Sequence, residues 1–397
     1  MRKLAVFTLL LTLLLGSGVL AQDLPPVFCG DLSEADCSLL TDAQAAYVTM
    51  QSGTTTFEFD LAISDVPDMP FPLALNLMGV GSFSGDMSAV TSMANIANMG
   101  DMSDMYEQLP ELMDTMLTSF AADLALTLTV PEDLMGLVGA MAGSGSSQQG
   151  PQAKLPNVFS LQMRMVDGFG YINLDQIAAQ LPTAGLPQGW LGVDIAGLMR
   201  EALEMQPDMM PEDMPEVDTS MADMMTDPEF LASYMTIERV EDSVVDGQTL
   251  AVFEITVDFA GLMESEVYQS MMREQMLAAA EQSGESLSES DIEMALEMST
   301  GALQGMTMVM RQSIGVDDKY MRAVSYEMTW DMTSIMEMAE EMGEDAPVGA
   351  APTLTMTMNA TLDDINEPLT ITAPEDATII PLESLMPSES AGADKNS

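Results

Sequence analysis

The sequence predicts an α+β protein, an antiparallel sheet with helices gathered on one face. Three observations predict it. Short runs of alternating apolar and polar residues recur along the chain, stretches rich in Met and Leu at three- and four-residue steps interrupt them, and further alternating runs close the pattern near the C-terminal end. Strict alternation belongs to strands that are oily on one face and wet on the other, as in antiparallel sheets; parallel sheets bury both faces and read as continuous apolar runs. Strands interrupted by blocks of helix fit α+β.

Taken in order, "TTFEFDLAIS" places Phe57, Phe59, Leu61 and Ile63 on one face and Glu58 and Asp60 on the other. Residues 93–120 have helical spacing. Leu124, Leu126, Leu128 and Val130 share a face, as do Phe159, Leu161, Met163 and Met165. Between these two runs "GSGSSQQG" at 143–150 reads as a flexible connector. A strand-like "GWLGVD" leads into the helical "GLMREALEM". "LAVFEITVDF" sets Phe253, Ile255, Val257 and Phe259 against Glu254, Thr256 and Asp258. Residues 262–304 read as two helices joined near "SGESLSES", where Ser288 and Asp291 match a capping box. Val324, Tyr326, Met328, Trp330 and Met332 form the next apolar row. After it come a short helix over 333–342 and the linker "GEDAPVGAAP". Leu354, Met356, Met358 and Ala360 then face a row of threonines and Asn359. About eight to eleven strands are expected in all.

Composition narrows the function. The chain has 397 residues, 47% of them hydrophobic, enough for a sizeable core. Its 11 Lys+Arg against 63 Asp+Glu give a net charge of −52. That charge repels nucleic acid, whose binding needs clustered cations, and anionic lipid headgroups as well. Residues 1–21 read as an export leader: Arg2 and Lys3, a short apolar run, and Val19-Leu20-Ala21 as a cleavage site. The first cysteine, Cys29, follows "PPVF" and so does not match a lipobox. No later run is apolar for long enough to span a bilayer, so an exported protein without a permanent membrane anchor is expected. Cys29 and Cys37 are expected to form one local disulfide.

The sequence has no histidine, which excludes Ser-His-Asp and Cys-His catalysis and ordinary zinc sites. It contains no G-x-S-x-G elbow, Walker loop or complete EF-hand loop. Acids are so abundant that paired carboxylates carry no signal. A binding protein without cofactor, metal or catalytic residues is expected.

Methionine is the unusual feature, at 42 residues. Thioethers at M-x-M or M-x-x-M spacing are ligands for Cu(I) or Ag(I), and "DMMPEDMPEVDTSMADMMTD" at 208–227 and "NMGDMSDMYEQLPELMDTM" both offer that spacing. Yet "MTMVM" and "LTMTM" use Met where strands ordinarily carry Leu or Val, so Met is a general hydrophobe here, one that suits irregular apolar ligands. The stretch 207–228 is interrupted by Pro211, Pro215 and Pro228 and dense in acid, and is expected to be a mobile lid rather than a metal site.

Two segments carry a resemblance. "DGFGYINLDQIAAQ" with "GWLGVDIAGLM" resembles bacterial exported lipid carriers of the LolA and LppX/LprG type, and the closing "DDINEPLTITAPEDATIIPL" is similar to their last strand pair. The resemblance covers about half the chain. It implies a strongly curved half-barrel with helical insertions across its concave face, enclosing a cavity for acyl chains or another lipophilic molecule. On that reading the apolar wall comprises Phe57, Phe59, Leu126, Phe159, Tyr171, Trp190, Phe253, Phe259, Tyr326 and Trp330. The expected organisation is a leader to residue 21 and a disulfide-bearing segment over 22–53. A single half-barrel domain then spans 54–385, with acidic Met-rich insertions at 93–118, 196–233, 262–305 and 333–350, and a disordered tail covers 386–397. The expected partner is a lipid or other lipophilic molecule; a transient membrane or lipoprotein partner is left open. The alternatives are a Cu(I)/Ag(I)-binding exported protein and a structural or surface-interaction protein with a filled core.

Overall fold

A computed structural model describes residues 27–66, 71–85, 114–136, 156–180, 187–205, 228–245, 247–283, 288–341 and 351–381. The leader, the stretch 206–227 with its six methionines, and the tail 386–397 lie outside the described residues.

Among the described residues one 13-stranded sheet organises the chain. Its strands are β1 (Ser52–Ser64), β2 (Leu73–Gly85), β3 (Phe120–Thr129), β4 (Val158–Val166), β5 (Phe169–Asn173), β6 (Trp190–Asp194) and β7 (Met235–Arg239). They continue with β8 (Ser243–Val245), β9 (Gln248–Val257), β10 (Met306–Gly315), β11 (Met321–Asp331), β12 (Thr353–Asp363) and β13 (Thr378–Ile379). The spatial order is β13-β6-β5-β4-β3-β2-β1-β12-β11-β10-β9-β7, with β8 also on β9. Among the described strands every pairing is antiparallel except β13 on β6. β1 sits in the middle between β2 and β12, and two meandering wings run outward from it. The sheet does not close, and at this width a twisted sheet curls, giving the curved half-barrel. It has more strands than the eight to eleven expected, because β7, β8 and β13 are too short for alternation to show in the sequence.

The register carries one face through the whole sheet. Phe57, Phe59, Leu61 and Ile63 pair with Gly79, Leu77, Leu75 and Leu73 on one side, and with Ala360, Met358, Met356 and Leu354 on the other. Gly79 is required where it stands: a Cβ there would run into the Phe57 ring, which occupies the space that a side chain would take. The β4–β5 hairpin turns on Asp167 and Gly168, both at positive φ, the Asp-Gly pair that two-residue hairpins favour.

Helical segments cover the apolar, concave face at both wings. Helix Glu34–Tyr47 is N-capped by Ser33, which accepts from the Asp36 backbone N–H. The helix lays Leu39, Leu40 and Ala43 on Ile237, Ala251, Phe253, Ile255 and Ile314. The disulfide Cys29–Cys37 closes the segment leading into it, and Arg239 on β7 donates to Asp36 at 2.5 Å. On the other wing Met116, Leu117 and Ala196 form a second buried cluster, packed with Met165, Ile195 and Met199. The long connections β9–β10 and β11–β12 are helical: Phe259–Glu264, Glu266–Ser283 and Glu289–Leu303 in the first, Thr333–Glu341 in the second. The Ser288/Asp291 capping box forms as expected.

Two expectations need correction. Phe259 is not on a strand: β9 ends at Val257, Asp258 accepts from the Gly261 N–H as an N-cap, and Phe259 opens a helix. The closing segment is not a strand pair either. After β12 the chain crosses the polar, convex face as an extended strap. There Ser52 donates to the Glu367 carbonyl at 2.7 Å, Arg164 to the Thr372 carbonyl at 2.8 Å, and the Ile380 N–H to Gly192 at 2.8 Å. Only Thr378–Ile379 pairs, parallel to β6.

Candidate ligand-binding site

Register assembles the concave face into rows running across the strands. One row is Met310, Tyr326, Met358, Phe59, Leu77, Leu128 and Phe159, on seven consecutive strands. With strands about 4.8 Å apart, it spans roughly 29 Å. Beside it on one side lie Met308, Met328, Met356, Leu61 and Leu75, and beyond these Met306, Trp330, Leu354, Ile63 and Leu73. On its other side lie Gln312, Val324, Ala360, Phe57, Gly79, Leu126 and Leu161. These four rows contain no charged side chain.

Burial divides this face into fully buried ends and a partly buried middle. Under helix Glu34–Tyr47, Ala251 and Phe253 are 0% exposed and Ile314 1%. At the other wing Met116 and Leu117 are buried too. In the rows between, the apolar side chains of β1, β12, β11 and β10 are only half-buried. The outcome is an apolar trough between two helical plugs. The one hydroxyl in the four described rows, Tyr326, donates to the Met308 sulfur at 2.6 Å, and burial raises its pKa, so it stays a protonated donor at neutral pH.

The sequence-expected wall residues divide accordingly. Phe57, Phe59, Leu126, Phe159, Tyr326 and Trp330 come together in the trough. Phe253 shares the face but is core beneath the helix. Tyr171 and Trp190 lie on the opposite face: Tyr171 pairs with Arg164 and Gly192, and Trp190 with Asn173, all of the other parity. There the Arg164 guanidinium sits 5.4 Å from the Trp190 ring centroid and pairs with Asp123, while Ile379 of the strap reaches the space over Gly192 beside Tyr171. These two aromatics therefore anchor the strap rather than line the trough.

Leu73, Leu75 and Leu77 were legible in the alternation of "LALNL" but missed, as were the wall methionines of β10, hidden by the abundance of Met elsewhere.

The convex face is polar. Asn76 donates to Glu58 at 3.1 Å and Asp60 at 2.8 Å, and Arg311 donates to Glu254 at 2.7 Å. A cleft of about 300 Å³ lies where strap residues 371–373 pass Gly85, Ala121 and Asp167. It is a by-product of the crossing, at the small end for a ligand pocket and away from the trough. Among the described residues no group of three or more His, Cys, Asp or Glu is placed to hold a metal ion, and no helix is long and apolar enough to cross a membrane.

No family model matches the chain, and no curated protein does. Among solved structures it is similar to the Mycobacterium tuberculosis lipoprotein LppX. The identity is 8%, the match covers 85% of this chain and 100% of that one, and the TM-score is 0.24. LprF from Mycobacterium bovis matches at 9% identity over 86% of this chain and 97% of its own, with a TM-score of 0.26. A LolA superfamily protein from Nitrosomonas europaea matches at 5% identity over 85% and 94%, with a TM-score of 0.14. At such TM-scores, what this sheet can bind has to be read from its own residues.

Proposed function

We propose that this chain is an exported, extracytoplasmic binding protein that holds the apolar part of a lipid or acyl chain against the trough, and that it is not an enzyme. One observation carries the reading: an uncharged apolar surface, seven strands wide and only half-buried, lies between two well-packed plugs. A sheet face built only to fill a core would be covered along its whole width, as Phe253 is. Half-exposed thioethers and aromatics adapt to an irregular apolar ligand at small cost. Each methylene buried there contributes about 0.8 kcal/mol, so about ten supply roughly 8 kcal/mol before ordering costs, enough for binding in the micromolar range at best.

The two tryptophans supply the test, since Trp330 lies in the trough and Trp190 on the convex face. In Trp190→Phe protein, an acyl chain brominated along its length should quench Trp330 emission saturably. Absence of quenching by every acyl probe would overturn the proposal.

A further inference from the structure

The trough has charge requirements as well as apolar ones. Its four rows carry three polar groups, the Gln312 amide, the Tyr326 hydroxyl and the Trp330 indole, and no cation. Each described arginine already faces an acid: Arg164 with Asp123, Arg200 with Asp114, Arg239 with Asp36 and Asp242. Arg273 pairs with Glu289, Arg311 with Glu254, and Arg322 with Asp318. The described lysine, Lys319, donates to the Val316 carbonyl at 2.6 Å. The other basic residues are Arg2, Lys3, Lys154 and Lys395, set against a net charge of −52. The connection 206–227, which enters the sheet through helix Pro228–Tyr234 and β7, has seven acids and no Lys or Arg.

A carboxylate or phosphate carried into this surroundings would lose hydration, gain no counter-charge and meet a repulsive field along its approach. A neutral head meets none of these, and a cationic one is drawn in. We infer that the trough selects lipids by head-group charge, accepting uncharged or cationic amphiphiles and rejecting anionic ones. This rests on the binding function proposed above.

Three probes with one brominated acyl chain decide it: the methyl ester, the free carboxylate and the trimethylammonium derivative, each titrated against Trp330 emission in Trp190→Phe protein at neutral pH. The expected order at low salt is ammonium first, then ester, with the carboxylate weaker than the ester by about tenfold or more. The carboxylate should close that gap between about 0.01 M and about 1 M salt, as the Debye length falls from roughly 30 to 3 Å. A carboxylate that binds as tightly as the ester at low salt overturns the charge selection while leaving lipid binding standing. Quenching by none of the three overturns both.

Discussion

Phe253 and Leu61 lie on the same face of one sheet, so the same substitution at each tests the division into plug and trough. Phe253 is 0% exposed beneath Leu39, Leu40 and Ala43, whereas Leu61 is half-buried with Met356 and Leu75 beside it. Truncating a buried Phe costs about 3–5 kcal/mol. An unpaired carboxylate in the same place adds several kcal/mol more unless it takes up a proton. That total is comparable to the roughly 5–15 kcal/mol by which a whole domain is stable, so Phe253→Asp is expected to leave no cooperative unfolding transition. At Leu61 a carboxylate keeps access to water, and the loss is that of a partly buried leucine, on the order of 1–2 kcal/mol. Leu61→Asp should fold, with a Tm lowered by a few degrees at most, since 1 kcal/mol shifts Tm by roughly 2–4 °C in a domain of 150–250 residues and by less in a larger one. A bound acyl chain would have to cover that carboxylate, so binding should fall by about thirtyfold or more, equivalent to roughly 2 kcal/mol. Thermal melts with acyl-probe titrations read both quantities. If Leu61→Asp unfolds the protein as Phe253→Asp does, the middle of the face is filled core and the trough does not exist. If Phe253→Asp melts like the unsubstituted protein, the face assignment itself is wrong.

Hydrogen bonds from Ser33 and from Arg239 hold the Asp36 carboxyl below its usual range, and the ion pair fixes helix Glu34–Tyr47 to β7. A depressed carboxyl pKa stabilises the fold above the unfolded value, near pH 4, and loses that effect as pH falls through the folded one. Asp36→Asn should therefore be less stable than the parent by about 1 kcal/mol at neutral pH, the gap closing below about pH 4; a gap unchanged in acid would remove the pair from the account. Replacing Cys29 and Cys37 together by Ser opens a bridge of sequence separation 8, for a loss of roughly 2.5 kcal/mol on the chain-entropy scale. The strand signal in far-ultraviolet circular dichroism should persist, and its collapse would show the bridge holding more than the first helix. Arg164→Met leaves Asp123 and the Thr372 carbonyl without that partner, so amide hydrogen exchange should rise along 367–380 while the trough binds as before; unchanged protection there would mean that Arg164 does not hold the strap.

Within each long strand the sequence alone decided which residues share a face. Phe57 through Ile63, Leu354 through Ala360 and Val324 through Trp330 could be read from alternation, because a strand's side-chain period of two is local to its backbone. The capping box at Ser288 and the disulfide were equally local. Parity between strands is not local. β5 and β6 are five residues each, with apolar side chains on both faces, so only the register with β4 put Tyr171 and Trp190 on the convex side. The neighbourhood of β1 and β12, some 300 residues apart in sequence, was likewise a matter of pairing across the chain. So was the contrast between Phe253 and Phe59: alternation made both inward-facing, and a helix from elsewhere in the chain covers one and leaves the other half-buried. A strand's own residues determine which way a side chain points; what lies above it depends on segments distant in sequence, and in this protein that cover separates core from binding surface.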